Sequence, residues 1–281
     1  MNLRASCFAL SFLAAGCGGS TNGAVAPSVG ASHATNHEAA PYVESQAQLE
    51  GYLAYPTDVT GKRPGIVLFH DWMGMGPNPK KRADQLAALG YVVLAADVYG
   101  KDVHPKDAGE AGKLAGKYKD DRATLRARGK AALDALVATG KVDPTKIAAI
   151  GYCFGGTAAL ELARSGAPLA GTVSFHGGLA TPHPEDAKNI HGKVLALHGA
   201  DDPFVKPEEV AAFEDEMRKS NVDWSLVAYG GAVHSFTIED AGNDKANGAA
   251  YDAKADHRSW DAMLGLFHEM WDSAPSSSPR P

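Results

Sequence analysis

Apolar residues along this chain fall into short unbroken runs separated by longer stretches of helical period. Gly65 to Phe69, Tyr91 to Ala96, Lys146 to Ile150, Leu169 to Phe175 and Val194 to Leu197 are each long enough for one buried strand. Strands hidden on both faces read this way because neither face meets water, the usual state of a parallel sheet. Lys80 to Leu89 has helical spacing and stops at Gly90, and Asp120 to Val137 reads as one helix. Pro207 to Lys219 opens on proline, with acidic residues early and Arg218-Lys219 late, as the helix dipole favours. Trp224 to Tyr229 predicts a further strand and His257 to Trp271 a closing amphipathic helix. Gln48 to Tyr55 alternates apolar with polar residues, the pattern of a half-exposed edge strand. Strands alternating with helices predict one α/β domain over residues 42–273, a mostly parallel sheet with helices on both faces.

Composition adds little to that picture but excludes some partners. At 281 residues and 44% hydrophobic the chain can fill a sizeable core, and a net charge of −6 gives no footprint for nucleic acid. Residues 1–16 have the layout of a secretory signal: one Arg, an apolar stretch from Ala5 to Ala15, then small residues before Cys17. That junction resembles a bacterial lipobox and predicts cleavage before Cys17 with lipid on its sulfur. The alternative is an ordinary signal peptide cut nearby. Both predict export, either to the cell envelope on a lipid anchor or as a periplasmic or secreted protein. Residues 17–41 lack a hydrophobic period and read as a linker in which His33 and His37 are solvated, and 274–281 reads as a disordered tail. With Cys7 lost and Cys17 in the tail, Cys153 is the one domain thiol and has no disulfide partner. An idle thiol is a liability in an oxidising compartment, which favours a working one.

The chemistry concentrates in Gly151-Tyr152-Cys153-Phe154-Gly155-Gly156. It follows a buried strand and precedes a run of helix formers, Thr157 to Arg164. Strand, tight Gly-x-Cys-x-Gly turn and helix make a nucleophile elbow with cysteine in place of serine. The N–H groups at the start of that helix favour a thiolate. Two more strand ends carry suitable partners: His198-Gly199-Ala200-Asp201-Asp202-Pro203-Phe204-Val205 and Gly230-Gly231-Ala232-Val233-His234-Ser235-Phe236. His234 suits proton transfer to and from the nucleophile, and one of Asp201 or Asp202 suits holding the imidazole. Nucleophile, acid and histidine in this order match the α/β-hydrolases.

Gly-Tyr-Cys-x-Gly-Gly, His-Gly-x-x-Asp-x-x-Val and Gly-x-x-His-Ser-Phe together resemble the dienelactone hydrolase family, from about Gly51 to Trp271. The resemblance implies an α/β-hydrolase fold and a cysteine nucleophile, Cys153, with His234 as base. It selects Asp202 as the acid, because the family's acid stands three places before the valine, here Val205. It implies hydrolysis of a small ester or lactone; the expected mechanism runs through a thioester and requires no metal or organic cofactor, and the protein is expected to be a monomer. The backbone N–H groups of Trp72 and Phe154 are expected to hold the oxyanion. Asp71 stands where a family carboxylate contacts the resting thiol, although glutamate is usual there.

Dienelactone-processing members hold the substrate carboxylate with two arginines. Lys101 stands at the first position and Ile238 at the second, so charge is kept at one and lost at the other. That argues for a small ester other than dienelactone itself. His70, His176 and His198 close strand ends, where they line a pocket or serve the fold, and Gly242 to Ala250 reads as a flexible loop near the base. The competing readings are an anchored binding protein on a hydrolase fold, since fold alone does not fix activity, and a cysteine peptidase.

Overall fold

Successive residues of the third strand feed different cores. Ile66 and Leu68 pack into one buried cluster, Val67 and Phe69 into another, and all four are fully buried. This period of two turns an unbroken apolar run into a sheet with a covered layer on each side. The structure, a computed structural model, describes residues 32–271. Its strands are β1 (Thr35–Glu44), β2 (Ala47–Pro56), β3 (Arg63–Phe69), β4 (Val92–Ala96), β5 (Val142–Tyr152), β6 (Gly171–Phe175), β7 (Lys193–Gly199) and β8 (Trp224–Tyr229). They form one eight-stranded sheet in the order β1-β2-β4-β3-β5-β6-β7-β8. β1 and β2 pair antiparallel, β2 meets β4 antiparallel, and the remaining pairs are parallel. This is the α/β-hydrolase fold. Among the described residues no helix is long and apolar enough to cross a membrane.

The helices are α1 (Pro77–Ala88), α2 (Ala108–Asp120), α3 (Arg122–Ala138), α4 (Phe154–Arg164), α5 (Pro207–Lys219) and α6 (Ala253–Trp271). Side chains of α1 and α6, among them Leu86, Met263 and Phe267, fill the cluster that holds Ile66. Leu125, Leu133 and Leu136 of α3, with Leu162 of α4, fill the one that holds Phe69. A third cluster seats Phe213 and Met217 of α5 against Val194 and Ala196. Helix α4, whose first turn follows Cys153, is also fixed by charge. The fully buried Arg164 forks onto Glu216 of α5, with both N···O distances 2.7 Å, and reaches Glu161 at 3.1 Å. Glu161 in turn accepts from Arg126 of α3 at 2.8 Å.

Four expectations need correction. Residues 35–41, expected to be linker, form most of β1. Their small and polar side chains suit a sheet edge, where Thr35 to Ala39 are exposed while the backbone pairs with β2. Gln48 to Tyr55 is therefore interior, with its alternation set by partial cover on one face rather than by an open edge. His33 is hydrogen-bonded through Nδ1 to Asp58 at 3.0 Å, and His37 stacks on Tyr52 with ring centroids 4.9 Å apart. Finally, Asp120 to Val137 is not one helix. The chain breaks at Asp121, whose carboxylate accepts from Thr124 N–H at 3.0 Å and caps α3. Helix α2 precedes it, with Gly109, Gly112 and Gly116 diluting its helical signal and only Ala111, Ala115 and Tyr118 buried. The signal segment, Cys17 and residues 274–281 lie outside the described residues.

Candidate active site

Cys153 sits between β5 and α4 with φ +54°, a left-handed conformation that a cysteine adopts only when its surroundings enforce it. Glycine on both sides makes the turn possible. A Cβ on Gly151 would lie 2.0 Å from the Gly155 carbonyl oxygen, and one on Gly155 would lie 2.3 Å from the Phe69 oxygen and 2.5 Å from that of His70. The elbow is thus pressed against its own helix and against the end of β3. The result is a side chain held past the carboxyl end of the sheet, half-buried, above the first turn of α4.

His234 Nε2 lies 3.1 Å from Cys153 Sγ, and its Nδ1 lies 2.8 Å from Asp202 Oδ2. The other Asp202 oxygen accepts from Phe204 N–H at 2.8 Å. Asp202 is buried whereas Asp201 is exposed, so of the two carboxylates only Asp202 faces the imidazole. Burial alone would disfavour a charged His234, yet hydrogen bonds and charge from Asp202 and Cys153 outweigh it and raise its pKa to about 10. His234 is pinned through its backbone as well. His234 N–H donates to Gly248 O and Ala250 N–H to His234 O, both at 3.0 Å. The stretch expected to be a flexible loop thus forms a parallel bridge with the histidine, braced by a short helical turn at Lys245–Asn247.

The loop after β3 brings the expected oxyanion donors to the same end of the sheet. Among the described residues neither the Trp72 N–H nor the Phe154 N–H has a hydrogen-bond partner. The Trp72 carbonyl accepts from Tyr99 OH at 2.9 Å. Buried His70 latches the loop: its Nε2 accepts from Val98 N–H at 3.2 Å, which leaves the proton on Nδ1 to donate to Asp71 O at 2.6 Å. Burial holds the His70 pKa down and keeps the ring neutral. Asp71 does not meet the thiol by a hydrogen bond. Its Oδ1 accepts from Met73 N–H at 2.8 Å, because the short side chain turns back on its own loop, while burial raises its pKa. Lys101 is engaged elsewhere too. It pairs with Glu50 at 3.0 Å and lines a cavity of about 290 Å³ that none of Cys153, Asp202 and His234 touches.

Of the two roles the sequence left open for His176, lining the pocket or serving the fold, it takes a place behind His234. Fully buried, with φ +39°, it lies behind the base with ring centroids 5.3 Å apart. Its Nδ1 accepts from the N–H of Cys153 at 3.2 Å, so Nε2 carries the proton and donates to Thr237 Oγ1 at 2.7 Å. Burial, reinforced by the neighbouring His234, drives its pKa well down. Only its position at the end of β6 marked it in the sequence. His198 is also kept low by burial. Among the described residues no group of three or more His, Cys, Asp or Glu stands ready to hold a metal ion.

Known proteins agree with this architecture. The pattern of the dienelactone hydrolase family matches residues 49–271. A solved structure described as a dienelactone hydrolase-like promiscuous phosphotriesterase from metagenomic libraries is 45% identical, covering 84% of this chain and 99% of its own at a TM-score of 0.81. "Protein usf" of Aquifex pyrophilus is 28% identical over 81% of this chain and 96% of its own. A Synechocystis protein named "Putative carboxymethylenebutenolidase" is 27% identical over 78% of this chain and 91% of its own. With the fold, the family pattern over most of the chain and these relatives in agreement, the chain belongs to the dienelactone hydrolase family and is a carboxylic ester hydrolase.

Proposed function

We propose that this enzyme hydrolyses small esters or lactones through a thioester on Cys153, with His234 as acid and base and Asp202 as its partner. The observation that carries the reading is the continuous hydrogen-bond chain from Asp202 through His234 to the sulfur. His234, with its pKa raised to about 10, holds the thiol proton and leaves a nucleophilic sulfur. The sulfur attacks the ester carbonyl carbon, and the oxygen that gains charge is received by the N–H groups of Trp72 and Phe154. Collapse breaks the bond to the alcohol oxygen, which takes the proton from His234 Nε2. Water then adds to the thioester with His234 as base, and the thiolate leaves. Asp202 fixes the tautomer throughout.

The test is turnover of p-nitrophenyl acetate by the wild type, by Cys153→Ala and by iodoacetamide-treated enzyme. Turnover lost in both treated forms supports the reading, and persistence in Cys153→Ala refutes it. The description of the 45%-identical relative makes an activated phosphotriester the second substrate to assay. Export on a lipid-modified Cys17 completes the proposal; radiolabelled palmitate incorporation that Cys17→Ala abolishes is the expected result.

A further inference from the structure

Phe204 is 59% exposed, yet it is not a loose surface side chain. Its N–H is bonded to the carboxylate of Asp202 at 2.8 Å. Its ring stands edge-on to the His234 imidazole, with centroids 5.5 Å apart and planes at 90°. A further edge lies against Gly248, where an added Cβ would come within 3.2 Å of the ring. Gly248 is the residue whose carbonyl holds the His234 N–H. An apolar ring is therefore displayed to solvent while fixed to the acid, to the base and to the segment that anchors the base. Burial did not place it there, since most of it remains wet.

The chemistry says what passes over that ring. During acylation the bond from Sγ to the carbonyl carbon forms, and the bond from that carbon to the alcohol oxygen breaks. The electron pair goes to the alcohol oxygen, which takes the proton from Nε2. The leaving oxygen must then lie within hydrogen-bond reach of His234 Nε2, on the imidazole whose contact with the solvent-exposed Phe204 ring puts an aromatic surface beside it. Trp72 (38% exposed) and Met73 (40% exposed) add apolar surface on the loop after β3. The Lys101 cation is paired with Glu50, away from Cys153, Asp202 and His234.

We infer that Phe204 is the leaving-group platform of this enzyme and that it selects esters of neutral aromatic alcohols. This rests on the Cys153–His234 reading above. Acylation is the one stage at which the alcohol is present, so the selection acts on kcat/KM. Hydrolysis of the acyl-enzyme follows after the alcohol has gone and is indifferent to its identity.

The experiment compares phenyl acetate with trifluoroethyl acetate for wild type, Phe204→Ala and Phe204→Leu, since both esters give the same acetyl-enzyme. An aromatic contact of this kind corresponds to about a two- to tenfold effect. The expected result is a fall of that size in the phenyl-to-trifluoroethyl ratio of kcat/KM in Phe204→Ala and a smaller fall in Phe204→Leu. Equal losses on both esters, or an unchanged kcat/KM ratio in both variants, overturn the inference. Wild-type turnover that iodoacetamide does not stop overturns the thiol reading itself, a result visible before any Phe204 variant is made. Thermal melting of Phe204→Leu at the wild-type temperature separates a specificity effect from misfolding.

Discussion

Replacing Gly155 by alanine separates the two halves of the catalytic machinery. Its Cβ would stand 2.3 Å from the Phe69 carbonyl oxygen and 2.5 Å from that of His70, where real Cβ atoms keep at least 3.0 Å. Both obstacles are backbone, so no rotamer change relieves them. The first turn of α4 must move away from the end of β3 by about 0.7 Å, the shortfall on the closer contact. That motion carries the Phe154 N–H away from the Trp72 N–H and widens the oxyanion site between them. A misplacement on the order of 1 Å costs about 100-fold in rate, and overpacking a core site costs about 1–3 kcal/mol of stability. Alkylation of Cys153 by iodoacetamide supplies the control, because it forms no oxyanion and draws only on the Cys153–His234 pair. The expected outcome is kcat for p-nitrophenyl acetate about 100-fold lower, with the alkylation rate within a few-fold of wild type. Parallel loss of both rates would mean that the elbow and not the oxyanion site had failed. Unchanged ester turnover would show that the two N–H groups are not the donors.

Other perturbations probe the charges behind the site. The His234 pKa, raised to about 10 by Asp202 and Cys153, stabilises the fold fully below about 6.5, and the contribution fades as pH rises through about 10. Urea midpoints are expected to drop between pH 6.5 and 10 in the wild type and to change less in Asp202→Asn; equal slopes would refute the pairing. Glu216→Ala removes both 2.7 Å bonds to the buried Arg164, leaving it Glu161 at 3.1 Å as its carboxylate partner, and is expected to cost about 3 kcal/mol by urea unfolding, largely recovered in Arg164→Met/Glu216→Met. A loss below about 1 kcal/mol would mean that Glu161 alone compensates Arg164. His176→Phe keeps a ring but drops the bonds to Cys153 N–H and Thr237, and is expected to lower kcat about tenfold. Because His176 stays neutral, both limbs of the pH–rate profile should remain in place; a shifted limb would show that it titrates during turnover.

The parts of this molecule that follow from one local rule were legible in the chain. Strands β3 to β7 announced themselves because each buried strand carries its own apolar run, and Trp224–Tyr229 and Pro207–Lys219 begin and end where their residues predict. The elbow was legible for a similar reason: Gly151 and Gly155 are dictated by contacts within a few residues of Cys153 and by the strand beside it. β1 was not, since an edge strand with solvent on its outer side needs no hydrophobic pattern and draws its order from the neighbour it pairs with. Asp71 shows another limit. Sequence position put a carboxylate near the thiol, but one methylene less than glutamate lets it close a turn on Met73 N–H instead. The bridge through His176 joins residues 23 and 61 positions away, a relation that no local spacing encodes.

The pinning of His234 by Gly248 and Ala250 also orders events as the chain is made. Cys153 lies 81 residues before its base, and the residues that hold the base come later still. A ribosome-bound chain that has delivered β5, α4 and β7 already contains the nucleophile and the acid, yet nothing that keeps a proton acceptor against the sulfur. Domains emerge from the N-terminus onward, so reactivity arrives only when the chain through residue 250 is free to fold back along the histidine. Until then no imidazole stands against the sulfur.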